Sequence, residues 1–96
     1  MFVSIICEIS NDDHMLAIKH LLIEYGFKQI FELLYESATI KEKELARLKR
    51  DIDRRTDSYD SVRMYQYPLD DVLVITTLRD KRWRRVVVKG EKSRAQ

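Results

Sequence analysis

Glu8 is where any chemistry in this chain would start. It lies near the end of Phe-Val-Ser-Ile-Ile-Cys-Glu-Ile, residues 2–9, whose β-branched and aromatic side chains read as a strand. Side chains alternate along a strand, so Glu8 shares a face with Phe2, Ser4 and Ile6. The run is nearly apolar on both faces, as a central strand covered on both sides would be. An unpartnered charge buried there is costly. Glu8 must therefore reach solvent at the strand end, or hold a cation, a proton or a metal. Its neighbour Cys7 is the only cysteine and cannot form an internal disulfide; its apolar surroundings make it a small buried hydrophobe rather than a nucleophile. His14 and His20 are six residues apart in a predicted helix, too far round it to form a metal pair.

Basic residues are the second resource. The 96 residues carry a net charge of only +2, so global charge does not argue for nucleic acid. Its distribution says more. Residues 1–38 hold two lysines, no arginine and six acids, net −4; residues 39–96 hold sixteen Lys and Arg against ten acids, net +6. In the second half, Lys43, Arg47, Arg50 and Arg54 fall within a narrow arc of a predicted helix. Arg82, Arg84 and Arg85 surround Trp83 further on. The helical stripe is a solvated outer face or a track for phosphates.

The positioning elements follow from periodicity and punctuation. Asn11-Asp12-Asp13 offers an N-cap and first-turn acids to a helix carrying Met15, Ile18, Leu22 and Tyr25, closed by Gly26. Residues 27–35 read as a second strand. Phe27, Phe31, Leu33 and Tyr35 are expected on one face, a core face rather than a base-stacking one. Thr39-Ile40-Lys41-Glu42 reads as a capping box opening a second helix, with Leu45, Leu48 and Ile52 as its buried stripe. Three strands are expected after it, at 61–67, 72–78 and 83–88. The first is ended by Pro68 with Asp70-Asp71, and Arg79-Asp80-Lys81 turns between the last two.

Length and composition (45% hydrophobic, 35% charged) bound this to one α+β domain over residues 1–90, with a polar tail at 91–96. No signal peptide and no apolar run of membrane-spanning length is present, so a cytoplasmic protein without a membrane partner is expected. The order fits a ferredoxin-like βαββαβ layer if residues 27–38 form a bent strand or two short ones; alternatively the strands at 61–67 and 72–78 share that role. Either way two helices pack on one face of an antiparallel sheet. The other face stays apolar and uncovered, which predicts a two-fold homodimer with sheet faces apposed and the last strand available to the partner's sheet edge.

Several short runs in this order resemble the CRISPR-associated protein two family, the small subunit of CRISPR spacer acquisition. They are Ile6-Cys7-Glu8-Ile9-Ser10, Tyr25-Gly26, Tyr35-Glu36, Leu48-Lys49-Arg50 and Asp60-Ser61-Val62-Arg63-Met64-Tyr65. Glu8 stands where that family usually has Asp. The resemblance implies a ferredoxin-like homodimer with the C-terminal strand exchanged across the interface. It implies an adaptor that bridges CRISPR integrase subunits and holds double-stranded DNA; the chain's own basic residues offer Arg47, Arg50, Arg54, Arg82, Arg84 and Arg85 as candidate phosphate contacts. The alternative it raises is a metal-dependent endonuclease on RNA or DNA, a toxin-type ribonuclease of similar fold among them. There Glu8 is both catalytic residue and metal ligand: Glu8 from two copies would hold Mg²⁺, with Asp12 or Asp13 contributing only if the turn folds back.

Overall fold

The computed structural model describes residues 1–69 and 71–90. Its elements are β1 (Phe2–Glu8), α1 (Asp12–Glu24), β2 (Lys28–Phe31), β3 (Leu34–Ser37), α2 (Glu42–Arg54), β4 (Ser61–Leu69), β5 (Val72–Arg79) and β6 (Arg82–Lys89). The strands form one antiparallel sheet in the order β2-β3-β1-β4-β5-β6. This is an α+β chain compatible with the ferredoxin-like arrangement: β1 to β4 with the two helices give βαββαβ, and β5 and β6 widen the sheet beyond β4.

One face of the sheet carries the core. Val3, Ile5, Cys7, Tyr35, Val62, Met64 and Leu78 are buried in one cluster with Ile18, Leu21 and Leu22 of α1 and Leu45, Leu48 and Ile52 of α2. The helix stripes are those the spacing predicts. Asn11 caps α1 by accepting from the His14 N–H at 2.8 Å. At the other end Gly26 adopts φ 88°, and the Gly26 and Phe27 N–H groups donate to the Ile23 and Leu22 carbonyls. That double bond pattern requires a left-handed residue at Gly26. The Tyr25 hydroxyl then donates to Asp51 at 2.7 Å, fastening α1 to α2.

Three expectations are corrected. The single strand at 27–35 is two strands joined by a tight turn at Glu32-Leu33, with Phe31 paired to Leu34 and a register irregularity before it. The turn breaks the alternation: Phe27 and Tyr35 are buried, but Phe31 is 70% exposed and Leu33 is also exposed. This hairpin supplies the two strands that the βαββαβ order needs. The second helix starts at Glu42, not at a Thr39 box. Lys41 is the N-cap, its N–H donates to the Glu44 carboxylate at 2.9 Å, and buried Ile40 and Leu45 flank the start as a hydrophobic staple does. Pro68 does not end β4, which runs to Leu69; the register shifts between Gln66 and Leu69, the kind of irregularity in which a strand tolerates proline.

Asp80 and Lys81 both have positive φ (52° and 61°), the two-residue turn that matches strand twist, so β6 folds back on β5 of its own chain over its whole length. The polar tail expected at 91–96, and Asp70, lie outside the described residues. No helix among the described residues is long and apolar enough to cross a membrane.

Candidate nucleic-acid interface and carboxylate sites

The face of the sheet away from the helices is not uniformly apolar. Phe2, Ile6, Tyr67, Val86 and Val88 are exposed on it, but Arg63, Arg79, Arg82 and Arg84 interrupt them. Register puts these residues on one face: Ile6 pairs with Arg63, Arg63 with Thr77, and Thr77 with Arg84. Apposing two such faces would bring both arginine sets into one interface, and like charges there oppose association.

Glu8 lies on this face, exposed, at the end of β1. It lines a depression of about 290 Å³ with Ile6, Ser61, Val62, Arg63, Thr77 and Arg79. Among the described residues it has no cationic partner within 4.0 Å. It is thus the solvated strand-end carboxylate. Asp12 and Asp13 are exposed in the first turn of α1 and do not line the depression. One carboxylate beside two guanidinium groups is a poor donor set for Mg²⁺, which is bound through oxygen ligands and repelled by neighbouring cations. Within a single chain the residues present do not fit that ion.

The carboxylate missed from the sequence is Asp60. It is fully buried directly before β4. One of its oxygens accepts from the Ser10 N–H and hydroxyl, both at 2.8 Å. The other accepts from the Asp57 N–H at 2.9 Å and lies 3.1 Å from His14 Nδ1. Burial raises its pKa, but the hydrogen bonds from Ser10, Asp57 and His14 outweigh that, and the net direction is below the ordinary carboxylate value. His14, Asp57 and Asp60 form a compact group of possible ligands. Both Asp60 oxygens are already occupied by donors, so the group reads as a clamp joining α1, the loop after α2 and β4. No local sequence signal marks it: the pairing of β1 with β4, with Glu8 opposite Ser61, is what brings Ser10 and Asp60 to the same end. Cys7 is buried, and burial pushes its thiol up to about 12, consistent with a packing role.

The six expected arginine contacts do not form one surface. Arg50 and Arg54 line a depression of about 430 Å³ with Lys49, Asp53 and Trp83. Arg85 lines the adjoining one with Lys49, Glu42, Leu45, Ala46 and Gln66. Together these make a basic groove between α2 and β6, with the Trp83 ring in its wall. Lys49 sits where the two meet; burial first, and then the Arg85 charge, lower its pKa. Lys81 closes one end of the groove by pairing with Asp53 at 3.2 Å and donating to the Asp53 and Thr56 carbonyls. Arg54 pairs with Asp51 at 3.5 Å. Arg47 lines neither depression, and its charge acts on Tyr25 instead. Arg82 and Arg84 lie on the opposite face of the sheet, with Arg63 and Arg79. Lys49, Arg63 and Arg79 are the basic residues that the sequence reading passed over.

The chain is thus α+β, with a six-stranded antiparallel sheet and two helices compatible with the ferredoxin-like arrangement, and a basic cleft lies between α2 and β6. No protein-family model, curated protein or solved structure matches the chain.

Proposed function

We propose that this chain is a homodimeric nucleic-acid adaptor of the CRISPR spacer-acquisition type, binding duplex DNA and bridging integrase subunits. The observation that carries the reading is the convergence of Lys49, Arg50 and Arg54 from α2 with Arg85 from β6 on one groove. Such a groove can track a phosphate backbone without any catalytic geometry. The residue resemblance at Ile6–Ser10 and Asp60–Tyr65 supplies the partner and the process.

The dimer in this reading forms through β6. Among the described residues β6 is an edge strand, with consecutive Val86, Val87 and Val88 each about half exposed. An unpaired apolar edge is a template for another strand, by addition or by exchange between copies. The cytoplasm is the compartment this role requires.

Electrophoretic shift of a short duplex across a salt series tests the reading. Each of Lys49→Ala, Arg50→Ala and Arg85→Ala should lower the slope of log affinity against log salt by about 0.9. Co-purification with an integrase subunit should depend on the same chain staying dimeric. Absent or salt-independent duplex binding overturns the reading.

A metal-dependent endonuclease is the second reading, favoured only by the accessible, unpaired Glu8 carboxylate. It needs Glu8 from two copies around one Mg²⁺, and the arginines on that face oppose the approach. Mg²⁺-dependent cleavage lost in Glu8→Gln supports it; cleavage that persists in that variant sinks it.

A further inference from the structure

The open face of the sheet is a second basic surface that the duplex reading leaves unused. Its residues fall in rows across the strands. One row holds Ile6, Arg63, Thr77 and Arg84. The row toward the end of β1 holds Glu8, opposite Ser61, and the Arg79–Arg82 pair. The row on the other side holds Ser4, Tyr65, Ile75 and Val86, and Phe2 opposite Tyr67 lies one step further. Successive rows are two residues apart along a strand, about 6.8 Å, close to the reach of one extended nucleotide. The face therefore grades from guanidinium groups at one end to aromatic rings at the other.

Three observations make this a binding surface rather than a solvated one. Arg63, Arg79, Arg82 and Arg84 line a single depression of about 600 Å³ with Ile75, Thr77, Val86 and one acid, Asp80, so four cations face one carboxylate there. None of the four has a carboxylate within 4.0 Å among the described residues, so their charge is available to an outside anion. The Arg63 guanidinium lies over the Tyr65 ring, 5.4 Å from its centroid, which places cation and π-face side by side where the two zones meet. Beyond it Tyr67 is 56% exposed.

We infer that this face binds single-stranded nucleic acid, with phosphates in the arginine depression and unpaired bases on Tyr65, Tyr67 and Phe2. Clustered cations beside exposed rings match a strand whose bases are free to stack. A duplex hides its bases, and a second copy of this chain would bring the same positive charge.

Fluorescence anisotropy of labelled oligothymidylate, oligouridylate, oligodeoxyuridylate and an abasic oligonucleotide of equal length tests the inference. For the wild-type chain, log affinity for oligothymidylate should fall with log salt at a slope of about −3, as four neutralised phosphates on a single strand give. Arg79→Ala with Arg84→Ala should halve that slope and leave duplex binding unchanged. Tyr67→Ala should weaken oligothymidylate binding at least about fivefold without affecting the abasic strand. Lys49→Ala with Arg50→Ala should do the reverse, weakening the duplex alone, so failure here and failure of the adaptor reading are told apart. The ratio of oligouridylate to oligodeoxyuridylate affinity, two strands that differ only at the 2′ position, names the preferred sugar. Circular dichroism confirms that these exposed-site variants fold. Single-strand binding indifferent to Arg79 and Arg84, or equal affinity for abasic and base-bearing strands, overturns the inference. So does sedimentation showing that Arg84→Ala or Tyr67→Ala disrupts a dimer, because a second copy then covers the face.

Discussion

Glu8 and Asp60 stand at the same end of the β1–β4 pair, since Glu8 is directly opposite Ser61. They are the same kind of group in opposite circumstances. Glu8 points to the open face, exposed, beside Arg63 and Arg79, and has no ion-pair partner among the described residues. Asp60 points to the helix side, fully buried, with both oxygens engaged by Ser10, Asp57 and His14. A step of one residue across the pleat decides which carboxylate builds the fold and which meets solvent. The lesson is that saturation, rather than burial or charge alone, separates a structural carboxylate from one available for chemistry.

The largest effect should come from breaking the buried partner. Asp60→Ala leaves the Ser10 and Asp57 N–H groups without acceptors and should cost about 3 kcal/mol in urea unfolding. Glu8→Gln should change stability by less than about 0.5 kcal/mol in the same measurement. If the two costs came out equal, the contrast would collapse.

Acid should act on the same side. The folded pKa of Asp60 lies below its ordinary value of 3.8, so as pH falls the unfolded chain takes up that proton first. The stabilisation is complete above the unfolded value and is lost as pH falls through the folded one. Urea midpoints measured from about pH 5 down to about pH 2 should fall for the wild type, and the fall should be shallower in Asp60→Asn.

On the exposed side, Val87→Lys should weaken self-association through the β6 edge by about tenfold or more in sedimentation equilibrium, without unfolding the chain. Glu8→Gln removes a negative charge beside Arg63 and Arg79 and should raise single-strand affinity by a factor of about two to five at low salt. Tyr35 should give a small effect of the opposite sign to Asp60. Its hydroxyl is buried with no hydrogen-bond partner among the described residues, so Tyr35→Phe should be neutral or stabilising by up to about 1 kcal/mol.

Much of the fold was legible because helices and strands write their period into the chain. Leu45, Leu48 and Ile52, the Asn11 cap and the Gly26 stop all emerged where spacing put them. The turn at Glu32-Leu33 was not legible, because no Gly, Pro or Asn marks it and the flanking residues continue an apolar pattern. Grouping Arg82, Arg84 and Arg85 as one contact set overlooked the alternation that the same stretch contains: Arg84 and Arg85 must face opposite sides of the sheet.

The residue order by itself determined both helices and the strands outside the β2–β3 hairpin, that Glu8 lies on the same strand face as Phe2 and Ile6, and that Cys7 is a packing residue. These are local matters, set by dihedral preference and side-chain period. Only the tertiary structure decided that Asp60 meets Ser10 and His14, that Arg85 joins Lys49 while Arg84 joins Arg63, and that β6 is left as an edge. Those outcomes depend on which strands pair and in what register, and pairing across fifty residues is fixed by burying the whole core at once rather than by any local signal.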